Sequence, residues 1–208
     1  MRTLVIGGHS RSVGKTSLVV DLIRAFPEAG WTAVKITQYG HSLCSEHGEP
    51  CDCAPRDHAV ALDEEMDRSE RTDTSRFLVA GAKRSLWLRT PQGELAEAMP
   101  ALREALSGAD NVILESNAIL QLLRPQLYLA VLEPSQEDFK ATALRYLDRA
   151  DAYVLRSALG KDAWPGVSLS LLEGRPAFLQ PLGEPLSAEF LGFVSHRFWN
   201  TMQPKLPL

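Results

Sequence analysis

The sequence predicts an α/β fold in which helices cover both faces of a mainly parallel sheet. Short apolar segments of strand length recur at 3–7, 32–36, 85–89, 111–115, 127–132, 152–156 and 176–179, and segments with helical apolar spacing separate most of them. The chain has 208 residues, 45% of them hydrophobic, which suits one compact domain with a sizeable core.

The first strand, 3–7, feeds the loop Gly8-His9-Ser10-Arg11-Ser12-Val13-Gly14-Lys15-Thr16-Ser17, and a helix follows with Leu18, Val19, Leu22, Ile23 and Phe26 on one stripe. Strand, glycine- and serine-bearing loop, Gly-Lys-Thr and helix is the order of a phosphate-binding loop. Backbone N–H groups and the positive helix end attract a polyphosphate, Lys15 reaches its β and γ phosphates, and the Thr16 hydroxyl holds Mg²⁺. The common motif has glycine five positions before the glycine preceding lysine; here that place is His9, with Gly8 one residue earlier. The competing reading is an ordinary strand-to-helix turn whose glycines serve only the bend. Arg11, within the loop, could stabilise charge on a transferring phosphoryl group, grip a ground-state phosphate or point to solvent.

The second strand, 32–36, ends at Lys35, suited to neutralising phosphate or an acidic second substrate, or simply solvated. A long polar insertion, 38–72, then breaks the rhythm without a convincing regular element, and long insertions of this kind are usually functional or mobile. It carries Cys44, Cys51 and Cys53 together with His41, His47 and His58. Three thiolates and an imidazole form a common closed zinc set, and three cysteines with an outside ligand can hold an iron–sulfur cluster; a disulfide or unliganded thiols are the plainer readings. A metal there would staple the loop or serve delivery and sensing. Asp73 reads as a helix N-cap, with Arg76 on the first turn, and as a catalytic carboxylate.

After strand 85–89, residues 94–106 place Leu95, Ala98, Met99, Leu102, Ala105 and Leu106 on a helical stripe. Strand 111–115 ends at Glu115, where a parallel sheet presents ligand-binding groups; this carboxylate would organise Mg²⁺ or the attacking water, or else be a surface glutamate. Strand 127–132 precedes a second helical pattern at 139–147. Past strands 152–156 and 176–179, residues 187–202 read as a closing helix whose Phe190, Leu191, Phe193, Val194, Phe198 and Trp199 pack on the sheet or form a partner surface.

A formal charge of -4 and a pI of about 5.8 give no global attraction to nucleic acid or an anionic membrane. A strand beginning almost at the first residue leaves no room for a signal peptide, and the longest apolar runs fall far short of the ~20 residues of a spanning helix, so the expectation is a soluble cytoplasmic protein.

Gly8-His-Ser-Arg-Ser-Val-Gly-Lys-Thr16, Val34-Lys-Ile36, Asp73-Thr-Ser-Arg76 leading to Ala80-Gly-Ala82, and Leu114-Glu115 together resemble the molybdopterin-guanine dinucleotide biosynthesis protein B family over most of residues 1–120. The resemblance implies a three-layer P-loop NTPase fold of the class shared with the nickel-delivery GTPases of hydrogenase and urease. It also implies a homodimer, bound nucleotide and Mg²⁺, and a client protein in molybdenum-cofactor assembly. Departures are Lys35-Ile-Thr-Gln-Tyr39, where the family has lysine followed by histidines, Glu115-Ser-Asn117, where it has glutamate then glycine, and the cysteine insertion. The guanine signature Asn-Lys-x-Asp is missing from Leu155-Arg-Ser-Ala-Leu-Gly-Lys-Asp162, so GTP is favoured over ATP only by the resemblance. The loop ending also resembles that of dethiobiotin synthetase, which implies an ATP-dependent ligase or kinase.

These readings converge on a Mg²⁺-dependent nucleoside triphosphatase, with a metallochaperone and a small-molecule kinase or ligase as rivals. The catalytic candidates are Lys15, Glu115, Arg11 and Asp73, and the insertion 38–72 is the candidate switch or metal-binding loop.

Overall fold

The structure, a computed structural model, describes residues 1–40, 60–160 and 163–200. Its strands are β1 (Arg2–Gly8), β2 (Thr32–Tyr39), β3 (Ala61–Glu64), β4 (Arg84–Pro91), β5 (Asn111–Glu115), β6 (Leu127–Leu132), β7 (Ala152–Leu155) and β8 (Ala177–Leu179). They form one sheet in the order β3-β4-β2-β5-β1-β6-β7-β8. Every pairing is parallel except β3 against β4. The seven expected strands are all present.

The eighth strand, β3, lies in the stretch read as lacking regular structure, and that reading is corrected here. Ala61 pairs with Arg89 and Glu64 with Leu86. Charge attaches this edge: Arg84 grips Glu64 through two bonds of 2.7 and 2.9 Å, and Arg89 pairs with Asp63. A four-residue edge strand held by acidic side chains has little apolar alternation to reveal it.

Strand alternation divides the apolar residues into two cores. Leu4 and Ile6 of β1 join the first, packed against α1 (Lys15–Ala25), α2 (Asp73–Val79) and α5 (Ala188–Ser195); Val5 joins the second, packed against α3 (Leu95–Ala105) and the end of α4 (Ala141–Tyr146). The result is three layers, helices on both faces of the sheet. The closing segment packs as core: Phe190, Val194 and Phe198 are fully buried, and Trp31 meets Phe198 and Trp199 at centroid distances of 5.2 and 6.1 Å. It is α-helical only to Ser195 and continues as a π-helical turn, His196–Asn200.

The cap of α2 also differs from expectation. Thr72, not Asp73, is the N-cap: its Oγ1 accepts from the Ser75 N–H at 3.0 Å, and its own N–H donates to Ser75 Oγ at 3.1 Å. Asp73 becomes the first helical residue, so its carboxylate is not consumed in capping and turns toward β2.

Candidate functional site

An open cleft of about 910 Å³ runs along the carboxyl ends of the parallel strands, where such sheets place their ligands. The register brings its groups together, because Glu115 of β5 lies beside Ile6 of β1 on one side and Lys35 of β2 on the other. Gly8, Ser10, Arg11, Ser12, Gly14, Lys15, Thr16, Ser17, Lys35, Asp73 and Glu115 all line it. His9 and Val13 do not. Val13 is buried in the first core, and the His9 ring is buried against Phe139 and Trp164 at 5.1 and 5.2 Å.

The loop's path is set by two left-handed residues, Ser12 at φ 54° and Gly14 at φ 84°. A side chain at Gly14 would be strained, and its Cβ would lie 2.6 Å from Leu182 Cδ2. The Gly14 carbonyl also accepts a 2.6 Å bond from Arg156 Nη2, while Arg156 Nη1 donates to the Gln180 carbonyl at 2.8 Å. At the start of the loop, Gly8 exchanges two bonds with Asn117: its N–H donates to Oδ1 at 2.9 Å and its carbonyl accepts from Nδ2 at 2.8 Å. Gly7 must be glycine-sized, since a Cβ there would lie 2.3 Å from Asn117 Oδ1. Ser10 Oγ donates to Asp138 at 2.7 Å, and the Lys140 N–H donates to the His9 carbonyl at 2.8 Å.

Lys15 Nζ donates to the Ser10 carbonyl at 2.7 Å, closing a ring across the loop. Burial lowers its pKa and Lys35 adds to the effect, against the opposing pull of Glu115 and Asp73. Thr16 Oγ1 donates to Glu115 Oε2 at 2.8 Å. Lys35 Nζ pairs with Asp73 and stands 3.5 Å from Glu115 Oε1, and Asp73 also meets Arg76 at 3.6 Å. Burial works against the charged form of Lys35, but Glu115 and Asp73 outweigh it and hold the amine above the ordinary lysine range. The pairs of Asp73 with Lys35 and Arg76 are partly exposed and each is worth about 1 kcal/mol or less, whereas Glu115 is buried and has Thr16 and Lys35 as its partners.

Burial is the main reason the His9 imidazole is lowered to about 4, with Lys15 contributing; Asp138 and Glu133 pull the other way. The ring is therefore neutral near pH 7. Its Nε2 lies 3.2 Å from the Glu133 carbonyl.

The hydroxyl of Thr16 and the carboxylate of Glu115 are hard oxygen donors within hydrogen-bond reach of each other, a pair whose chemistry fits Mg²⁺. Among the described residues no group of three or more His, Cys, Asp or Glu could hold a metal ion. Cys44, Cys51, Cys53, His41, His47 and His58 lie outside the described residues.

Four residues of the site escaped the sequence reading: Asn117, Asp138, Lys140 and Arg156. Asn117 was visible as the polar residue two past Glu115, but nothing in the sequence tied it to Gly8. The other three reach the loop from after β6 and β7, at sequence separations of more than 100 residues. A smaller cavity of about 250 Å³, lined by Met99, Leu102, Leu114 and Arg124 among others, contains none of the expected site residues.

No protein-family model matches the chain, and no curated protein matches it in sequence. Solved structures do. HypB from Helicobacter pylori, in complex with nickel, superposes with a TM-score of 0.53 at 16% identity, over 99% of this chain and 91% of that one. LpxK from Aquifex aeolicus, in complex with ATP, gives 0.49 at 14% identity over 85% of this chain and 53% of that one. A MobB protein homolog from Bacillus stearothermophilus gives 0.48 at 17% identity over 97% and 100%. The last two likenesses carry no weight. The first shows that the chain shares its α/β fold with that HypB structure. No helix among the described residues is long and apolar enough to cross a membrane.

Proposed function

We propose that the protein is a Mg²⁺-dependent nucleoside triphosphatase, with GTP favoured over ATP, acting in the assembly of a metal-containing cofactor through a client protein. The observation that carries the nucleotide reading is the joining of Lys15, Thr16 and Glu115 at one loop, where the Thr16 hydroxyl and Glu115 carboxylate are 2.8 Å apart. Loop amides and Lys15 bind the phosphates. Thr16 and Glu115 would hold Mg²⁺, which when bound neutralises charge on the β and γ phosphates. Asp73, paired with Lys35 and Arg76, would position the attacking nucleophile. The metal-cofactor role, and a homodimer, rest on the sequence resemblance.

Titration calorimetry with Mg²⁺-GTP and Mg²⁺-ATP tests the reading. Replacing Lys15 by Ala removes a charge-assisted contact and should weaken binding about 10- to 100-fold. Equal affinity in wild type and Lys15→Ala would refute it. The three cysteines support a metal-binding role for the 38–72 insertion, and elemental analysis of anaerobically prepared protein should find about one zinc or iron–sulfur centre per chain, lost in Cys51→Ser. Metal-free protein with undiminished triphosphatase activity would remove that role.

A further inference from the structure

Among the described residues five cations line the cleft, Arg11, Lys15, Lys35, Arg76 and Lys140, with the carboxylates of Asp73 and Glu115. Lys35 and Arg76 are spent on Asp73. Lys15 belongs to the nucleotide. Two further cations line the cleft, Arg11 on the loop and Lys140 just before α4, and among the described residues neither side chain makes a hydrogen bond or ion pair.

Their placement is not accidental to the fold. Lys15 opens α1, which packs in the first core, whereas α4 packs on the opposite face of the sheet through Tyr146. Lys15 and Lys140 thus approach the cleft from different helical layers. The segment bearing Lys140 is strapped to the loop at two points, by Ser10 Oγ to Asp138 and by the Lys140 N–H to the His9 carbonyl. Asp138 accepts from the Ser10 hydroxyl, which ties it to the loop while leaving its charge in place. Burial is the main reason the Lys140 amine is lowered to about 8, with Lys15 and Arg11 contributing and Asp138 pulling the other way.

We propose that Arg11 and Lys140 form a second anion subsite, beyond the nucleotide, that seats the phosphate dianion of a phosphomonoester second substrate. The inference rests on the nucleotide reading above and adds a chemical class for a second ligand of the same cleft. Two cations that line one cleft without a hydrogen bond or ion pair among the described residues match a dianion in charge, and a guanidinium together with an ammonium suits phosphate oxygens. Thr142, also lining this part of the cleft, offers a hydroxyl to the same group.

The test is calorimetric, on the full chain first saturated with Mg²⁺ and a non-hydrolysable triphosphate, using inorganic phosphate and glycerol phosphate as probes. Wild type should bind both probes. Lys140→Met should bind them about ten-fold more weakly, as loss of one charge-assisted contact implies, and Lys140→Arg should restore most of the affinity. Unchanged probe affinity in Lys140→Met, or no probe binding to the wild-type complex, overturns the subsite. So does binding to the diphosphate complex that the triphosphate analogue abolishes, because Arg11 and Lys140 would then serve the nucleotide's own terminal phosphate. The nucleotide titration preceding each experiment separates the two levels. A wild type that binds no nucleotide sinks both readings, whereas bound nucleotide without Lys140-dependent probe binding sinks this one alone.

Discussion

The loop 8–16 has two faces with opposite chemistry. Toward the cleft it presents Arg11, Lys15 and Thr16, charges and hydroxyls that await partners or hold provisional ones such as the Ser10 carbonyl. Toward the protein it is tied down: His9 is packed between aromatic rings, Val13 is buried, Gly14 is held by Arg156 and Gly8 by Asn117. On the nucleotide reading proposed above, the loop would need its donors fixed in advance, and the interactions that fix them are made on the far side. Changes on the cleft face should therefore alter chemistry at constant stability, and changes on the inner face should alter stability first.

The largest expected effect is on the cleft face. Glu115→Gln should lower single-turnover hydrolysis about 100-fold, or about 2.7 kcal/mol, while retaining nucleotide binding, because the lost charge acts mainly in the transition state. A melting temperature unchanged alongside that loss would sharpen the contrast; unaltered hydrolysis would remove Glu115 from the mechanism.

On the inner face, Arg156→Met removes two bonds from a nearly buried guanidinium to the Gly14 and Gln180 carbonyls. The expected loss is about 2 to 3 kcal/mol, a fall in melting temperature of about 5 to 10 °C for a chain of this size. A stable variant whose only defect is nucleotide affinity would break the division between the faces.

Acid should act through the same inner face. The folded pKa of His9, about 4, lies below the ordinary value of 6.5, so the unfolded chain binds more protons between those limits. Stability from neutral His9 is present above pH 6.5 and is lost as pH falls toward 4, by about 2 kcal/mol once solvent screening is allowed for. Urea unfolding at pH 7, 6 and 5 measures this slope, and His9→Gln should flatten it; an equal slope in the variant would assign the acid sensitivity elsewhere.

The smallest effect is expected at Lys35. Its pair with Asp73 is partly exposed and buried Glu115 keeps its bond from Thr16, so Lys35→Met should change stability by only about 1 kcal/mol while slowing hydrolysis less than Glu115→Gln does. A stability loss as large as that of Arg156→Met would show the network to be structural.

Much of this was legible in the sequence. Seven strands, the phosphate-loop order and the pairing of Thr16 with a strand-end carboxylate follow from local apolar periodicity and from residue types whose chemistry acts at short range. The closing aromatics, too, packed as core, because a run so apolar has few other stable places to go. β3 was not legible, since it is held by Arg84–Glu64 and Arg89–Asp63 pairs whose partners are 20 and 26 residues apart. Nor was the true N-cap: Thr72 and Asp73 both have capping side chains, and only the backbone geometry chose between them.

By itself the sequence determined which residues could touch a phosphate, because a short motif fixes its own local path. Tertiary structure alone decided which of them face the cleft. His9 sits in that motif yet faces the aromatic core, while Lys140, far outside it, lines the cleft. The physical reason is that a side chain's direction is set by what packs behind it. For this loop the packing comes from Asn117, Phe139, Arg156 and Trp164, whose contacts with it exist only once the sheet has brought the strand ends together.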